Sequence, residues 1–331
     1  MQRLVERPEL EVVVWPENRN CERKWILENF PGASAVLVML NDKIDAEVLS
    51  AAGPNLKVVS TMSVGYEHVD LDFLAKHQVR LGYTPDVLTE AVADTTLLLA
   101  LMAGRNAKET MTLVDEGRWP TTSWAPFAFC GPQLSANWVA PTRIAGFIGF
   151  GRIAQAVLRR LIPFGYKDCL YMSNPHSKPN HTVDAQLAQS LGMNSVRRVS
   201  MDEVAAGSDI VFVLSPGGPA THHIVNEAFL KKMKKTAVLV NTARGTCVDS
   251  DALVKALDER WIYAAGLDVV EGEPNVGLEH PLVKHPKCAI LPHIGSATTE
   301  TRMSMASLSV NNLLGGLFDQ PMPEELIIKS T

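Results

Sequence analysis

The sequence predicts an α/β protein built as two parallel-sheet domains, and three observations carry that expectation. Short apolar runs alternate along the chain with longer amphipathic stretches. Strands buried on both faces read as such runs, and strand–helix alternation is the pattern of parallel sheets. The 331 residues suit about two domains at roughly 150 residues each. The runs also outnumber what one compact sheet holds with ordinary connections, and a proline near Tyr83-Thr84-Pro85-Asp86 marks the break.

The elements follow in order. Val12–Val14, Ala35–Met39, Lys57–Thr61 and Val79–Tyr83 are strand candidates before the break. Leu88–Gly104 then carries a helical apolar pattern through Leu88, Val92, Thr95, Thr96 and Leu99. Ser123–Pro141 is rich in Trp, Phe, Pro and Ala without a period, and is expected to be an arm exposing apolar surface suited to a subunit contact. Strand candidates resume at Ile144–Phe150, Leu170–Met172, Ile210–Leu214, Ala237–Asn241, Ala264–Asp268 and Ala289–Leu291. Between the first two, Arg152–Ile162 sets Ile153, Val157, Leu158, Leu161 and Ile162 on one helical face. A last helix, Glu300–Leu317, is expected to return the chain to the first domain. One domain is thus expected from 1–87 with 298–331, and the other from 88–297.

Composition excludes several classes. Lys and Arg number 31 against 36 Asp and Glu, a net charge of −5 with no basic block, which argues against nucleic acid as the partner. With a hydrophobic share of 46%, disorder is not expected. Cys21, Cys130, Cys169, Cys247 and Cys288 stand singly, as reduced thiols do, rather than as a disulfide or zinc framework. No apolar run reaches the ~18 residues a membrane span needs, and no secretory signal is read at the N-terminus. Cytoplasm is the expected compartment, with a peroxisomal or mitochondrial pool left open. His222 and His223 are adjacent and expected to diverge, and His280, His285 and His293 lack zinc-motif spacing, so no metal is expected.

Ile144–Gly151 runs into a glycine-rich turn with Gly149, Gly151 and Ala154 in G-x-G-x-x-A register. A strand precedes it and an amphipathic helix follows, the context in which that pattern binds a dinucleotide pyrophosphate. The first glycine permits the turn, the second admits the anion, and the small third residue lets helix and strand pack, with the helix start facing the phosphates. Arg152 is a candidate pyrophosphate contact, with Ile153 beside it; a solvated arginine at a helix start is the plain alternative. An NAD-specific site places an acid about 20 residues beyond the glycines. Here the loop reads Ser173-Asn174-Pro175-His176-Ser177-Lys178, with no acid between Asp168 and Asp184. Ser173, Asn174 and Lys178 suit a 2′-phosphate, so NADP(H) is preferred and NAD(H) stays possible.

Three residues stand just past strand candidates in the second half: Arg244, Glu273 and His293. Ligands of open α/β sheets bind beyond the carboxyl ends of the strands. Reduction of a 2-keto acid needs a proton donor and a cation for the substrate carboxylate or polarised carbonyl. Histidine suits the first role, a neighbouring carboxylate favours its charged form, and arginine offers a planar fork for the second. Taken singly, each is more often a loop, turn or strand-end residue; their joint placement behind a dinucleotide turn makes the set.

These residues resemble the D-isomer-specific 2-hydroxyacid dehydrogenases, and the likeness runs from about Ala35 to Leu326. It rests on Thr61–His68, Gly149–Ile153, Asn241–Gly245, Gly266–Val269, Glu273-Pro274 and Leu291–Ser296. Within that family, Gly82–Thr89 and Asn311–Leu314 resemble the glyoxylate/hydroxypyruvate reductases. The resemblance implies two doubly wound domains, a Rossmann cofactor domain and a smaller flavodoxin-like substrate domain, with the active site in the cleft and a homodimer formed through the cofactor domains. It implies NADPH-dependent reduction of hydroxypyruvate to D-glycerate and of glyoxylate to glycolate, with His293 as proton donor and Glu273 as its partner. It places Val64 and Gly65 at the substrate carboxylate and Trp124 at the partner subunit's pocket, where a simple packing role is the alternative. Ser215 and Pro216 would lie under the adenosine, unless they form an ordinary turn. Ala243 and Asp268 would border the nicotinamide, with Asp268 accepting from its carboxamide, and Gly295 joins the cofactor-binding set.

Three departures stand out, one of them a ribose loop with fewer cations than a strong NADP site offers. The family has an earlier strand and helix, so the substrate domain is expected to lack its first strand. Ser135–Pro141 reads as an insertion. Other readings are a different D-2-hydroxyacid dehydrogenase, such as a phosphoglycerate dehydrogenase, or a dinucleotide-sensing corepressor of the same superfamily.

Overall fold

The computed structural model describes residues 2–174 and 177–328. The chain divides into two compact units, Met1–Leu88 with Ser296–Thr331, and Thr89–Gly295. The boundaries fall one and two residues from the expected ones. Asp268 fastens the amide of Gly295, so the second unit ends there and Ser296 begins the return.

The first unit carries a four-stranded sheet in the order β1-β2-β3-β11. Its strands are β1 (Ala35–Val38), β2 (Val58–Thr61), β3 (Arg80–Gly82) and β11 (Glu325–Leu326). The first three are parallel, and β11 pairs antiparallel with β3. Alternation sets the layers. Val36 and Val38 point to a core with Ile26, Val48, Leu49 and Leu74, while Ala35 and Leu37 face Val310, Leu313 and Leu4 on the other side. The helix Thr299–Leu317 packs on that second face.

Val12–Val14 does not form the expected strand. Val13 and Val14 are exposed and only Val12 packs against the core. Pro16 follows, and a proline has no amide to give a ladder. No strand pairs with the outer edge of β1 among the described residues.

The second unit holds seven parallel strands in the order β10-β9-β8-β7-β4-β5-β6. They are β4 (Ile144–Ile148), β5 (Asp168–Met172), β6 (Ser195–Arg198), β7 (Ile210–Val213), β8 (Val238–Asn241), β9 (Ala264–Leu267) and β10 (Cys288–Ile290). Counted from β4, the order is 3-2-1-4-5-6 with a seventh strand added, the Rossmann arrangement. Both faces are covered. Phe147, Phe212 and Val240 lie in one core layer with the helices Thr89–Gly104 and Arg152–Leu161; Ile148, Val211 and Leu239 lie in the other with the helix Ser250–Asp258. The arm 123–141 is irregular, with Trp124 86% and Trp138 92% exposed. Its base is fastened by Asn106 Nδ2 to the carbonyl of Phe129 and by the amide of Ala136 to that of Phe164.

Candidate active site

Strand order reverses between β4 and β7, and the loops leaving those strands meet there. Gly149 has φ +87°, and a Cβ on it would lie 2.7 Å from the backbone of Ser215. Only glycine fits that conformation and that space. Gly151 caps the helix Arg152–Leu161, and a Cβ there would meet nothing within 4 Å. The turn is therefore closed on the protein side at Gly149 and open at Gly151, as a dinucleotide pyrophosphate requires. Ala154 is fully buried, Ile153 half-buried and Arg152 exposed. Ser215 is buried, with its hydroxyl 3.7 Å from Cys247 Sγ, and Pro216 beside it is exposed.

Arg244, Glu273 and His293 follow β8, β9 and β10, three neighbouring strands whose carboxyl ends point the same way. Each loop is held by a buried polar group. Asn241, fully buried at the end of β8, donates from Nδ2 to the carbonyl of Arg244 at 2.9 Å and accepts at Oδ1 from the amide of Ala243 at 3.0 Å. One side chain thus folds the Asn-Thr-Ala-Arg turn around itself. Thr242 Oγ1 lies 2.7 Å from Thr96 Oγ1 on the helix Thr89–Gly104, and Arg244 Nη1 donates to the carbonyl of Ala243.

Asp268 performs the same service for His293. Its backbone carbonyl accepts from the amide of His293, and its two carboxylate oxygens accept from the amides of Ile294 and Gly295, all at 2.8 Å. This grip holds His293 in the left-handed region, at φ +54°. Gly295 is needed because a Cβ there would lie 2.9 Å from Asp268 Oδ2. Burial pushes the Asp268 carboxyl up, against the opposing pull of those amides and of His293. The expected carboxamide contact of Asp268 falls on a carboxylate whose two oxygens are already engaged by the loop.

Within this frame His293 Nδ1 stands 3.0 Å from Glu273 Oε1, and Glu273 Oε2 accepts from the amide of Val270. Both side chains are about one-third exposed, so the pair can meet solvent and a small molecule. The turn after Arg244 meets the loop that leads to Glu273 backbone to backbone: a Cβ on Gly245 would lie 2.3 Å from the carbonyl of Val270.

The remaining expected residues lie elsewhere. Ser173 and Asn174 follow β5, Lys178 is exposed beyond them, and Pro175 and His176 lie outside the described residues. Sequence reasoning missed Arg198 at the end of β6. Its guanidinium donates to the carbonyls of Asn174 and Ser177 and adds a second cation to that loop. The polar Ser-Val-Arg-Arg strand gave no apolar signal, although two consecutive arginines were a visible cue. Val64 and Gly65 lie in the first unit, in the turn after β2, where Ser63 Oγ donates to the carbonyl of Gly65. Trp124 lies in the exposed arm. His222 and His223 do not diverge: their rings stack with centroids 4.0 Å apart, because His223 takes a left-handed backbone, φ +48°, that folds one ring over the other.

Residues 97–295 match the family described as D-isomer specific 2-hydroxyacid dehydrogenase, NAD binding domain. The chain belongs to the D-isomer-specific 2-hydroxyacid dehydrogenases. It is 42% identical over 323 residues to the human glyoxylate reductase/hydroxypyruvate reductase, covering 98% of this chain and 93% of that protein. A solved structure from Thermus thermophilus superposes with a TM-score of 0.80 at 35% identity, covering 94% and 91% of the two chains. The NADPH-dependent glyoxylate/hydroxypyruvate reductase of Sinorhizobium meliloti, solved with NADP and malonate, superposes at 0.72 with 31% identity over 88% and 83%. As in other dehydrogenases of this family, the chain uses a nicotinamide dinucleotide, and the glycine turn fits one. No described helix is long and apolar enough to cross a membrane.

Proposed function

We propose that this dehydrogenase reduces hydroxypyruvate to D-glycerate and glyoxylate to glycolate, with NADPH preferred over NADH. The observation that carries the reading is the His293–Glu273 pair at 3.0 Å, beyond the strand next but one to that of Arg244. When bound, the dinucleotide supplies a hydride to the carbonyl carbon of the substrate. His293 delivers the proton to the carbonyl oxygen; with Nδ1 turned to Glu273, Nε2 is the donating atom. Glu273 fixes the ring through Nδ1. The Arg244 guanidinium binds the substrate carboxylate or polarises the carbonyl. Hydride and proton together convert the keto group to the alcohol.

Two features support NADPH. The loop after β5 carries no acid that would repel a 2′-phosphate, and Arg198 joins Lys178, Ser173 and Asn174 there. The Sinorhizobium relative, solved with NADP, agrees with this choice. The exposed aromatic arm supports a homodimer.

Steady-state oxidation of NADPH and NADH with hydroxypyruvate, glyoxylate and 3-phosphohydroxypyruvate tests the reading. Turnover with hydroxypyruvate, D-glycerate as product and a higher kcat/KM for NADPH are expected. A preference for the phosphorylated acid would favour a phosphoglycerate dehydrogenase, and absence of oxidation with either cofactor would reject the proposal.

A further inference from the structure

One polar cluster has no part in the chemistry above. His223 Nε2 lies 2.6 Å from Glu271 Oε1, and His223 Nδ1 lies 3.8 Å from Asp249 Oδ2. Glu271 Oε2 accepts from the amide of Ser250 at 3.1 Å, and Asp249 caps the helix Ser250–Asp258 through the amide of Ala252. The backbone continues the stitching. The amide of His223 donates to the carbonyl of Thr246, that of Val225 to Cys247, and that of Asp249 back to Val225. His223, Glu271 and Asp249 are each about one-third exposed or less.

Three segments therefore converge: 221–225, 244–250 and 270–273. Thr246 is two residues from Arg244, and Glu271 is two residues from Glu273. The backbone approach of Gly245 to Val270 leaves no side chain between the two loops, so the His223–Glu271 contact at their flank holds their spacing. We propose that the His223–Glu271 pair is a positioning clasp that holds the loops of Arg244 and Glu273 in register. This inference rests on the proposed reductase reading for its kinetic consequences only.

Charge and backbone both fit the role. Burial acts to raise the Glu271 carboxyl, but the hydrogen bonds from His223 and Ser250 outweigh it and hold it below its ordinary value. Histidine is among the residues that tolerate the left-handed region, which brings its ring back over the 244–250 turn. His222, His223 and Glu271 also bring three ligand atoms within 4.8 Å of one another. The two imidazole planes are only 26° apart, however, so their lone pairs run side by side rather than toward one point, unlike a tetrahedral metal site. The arrangement is that of a hydrogen-bonded His–Glu pair with a stacked neighbour.

Glu271→Gln keeps the shape and removes the charge, and His223→Asn keeps a left-handed-tolerant backbone and removes the ring. Each is expected to lower kcat with hydroxypyruvate about 10-fold through loop misplacement, with the dinucleotide dissociation constant unchanged. The double variant should lose no more than either single variant, because one interaction is being broken. Amide hydrogen exchange of Ser250 and of residues 244–248 should quicken in both, while exchange in β4 and β5 stays as in the wild type. Unchanged exchange at Ser250, or kinetic losses that simply multiply in the double variant, would overturn the clasp. Should the wild type itself show no reductase activity, the exchange experiment still decides, since quickened exchange would keep the clasp while the functional reading fell.

Discussion

The two units spend their buried polar groups differently. In the second, Asn241 ends β8, Thr242 and Asp268 sit just past β8 and β9, and each fixes a loop that carries a charged side chain. In the first, the buried polar groups sew together two distant stretches of chain. Ser60 Oγ donates to the carbonyl of Ser309, Asn312 Nδ2 to that of Tyr83, and Asn312 Oδ1 accepts from the amide of Glu324. Arg80 adds a two-pronged pair with Glu325 that holds β11 on β3. A sheet of mainly parallel strands with helices on both faces is common to both units. What differs is the task its polar groups perform: fixing loops that carry charged side chains in one unit, closing a discontinuous chain in the other.

That contrast can be broken in graded steps. Arg244→Ala should lower kcat/KM with hydroxypyruvate most, by roughly 10²–10³-fold, as loss of a preorganised charge partner does, while the melting temperature stays near wild type. Asn312→Ala should do the reverse. It strands the carbonyl of Tyr83 and the amide of Glu324 and should cost about 2–3 kcal/mol of stability, read by urea unfolding. Asn241→Ala tests whether the distinction is sharp, since it should lower stability by about 1–3 kcal/mol and kcat as well.

Acid should act on the first unit through Glu325. The Arg80 guanidinium holds that carboxyl below its ordinary value of 4.5. Between the lowered value and 4.5 the unfolded chain binds more protons than the folded one, so the stabilisation is complete above 4.5 and is lost as pH falls through the folded value. Glu325→Gln should therefore cost about 1 kcal/mol at pH 7 and close to nothing well below pH 4, compared by unfolding at the two pH values. Smallest of all is Lys57→Met. Its partner Asp319 is exposed, and the variant should unfold at the same urea concentration as the wild type.

The comparison also explains what the sequence disclosed. The second unit was legible because its strands are buried on both faces, so Ile210–Val213 and Val238–Asn241 are nearly unbroken apolar runs, and because Gly149 answers to a backbone geometry that few residues satisfy. The placement of Arg244, Glu273 and His293 past β8, β9 and β10 was legible because each follows an apolar run. The first unit was harder. β11 is two residues long and owes its existence to Arg80, 245 positions away, a tertiary effect with no local trace. Val12–Val14 has strand composition but a proline two residues later and only part of its surface covered. β6 is polar at three of its four positions because it is the edge of its sheet, and it therefore hid Arg198. The double duty of Asn241 and Asp268 was also invisible, since a polar residue after a strand reads the same whether it touches a ligand or its own loop.

The central claim is that an imidazole held by Glu273 and by the three-amide grip of Asp268 delivers the proton during reduction. Single-turnover reduction of hydroxypyruvate by the NADPH-loaded protein, wild type against His293→Ala, tests it most directly. The variant should bind NADPH as the wild type does and react roughly 10²–10⁴-fold more slowly. Reduction at nearly the wild-type rate would contradict the account.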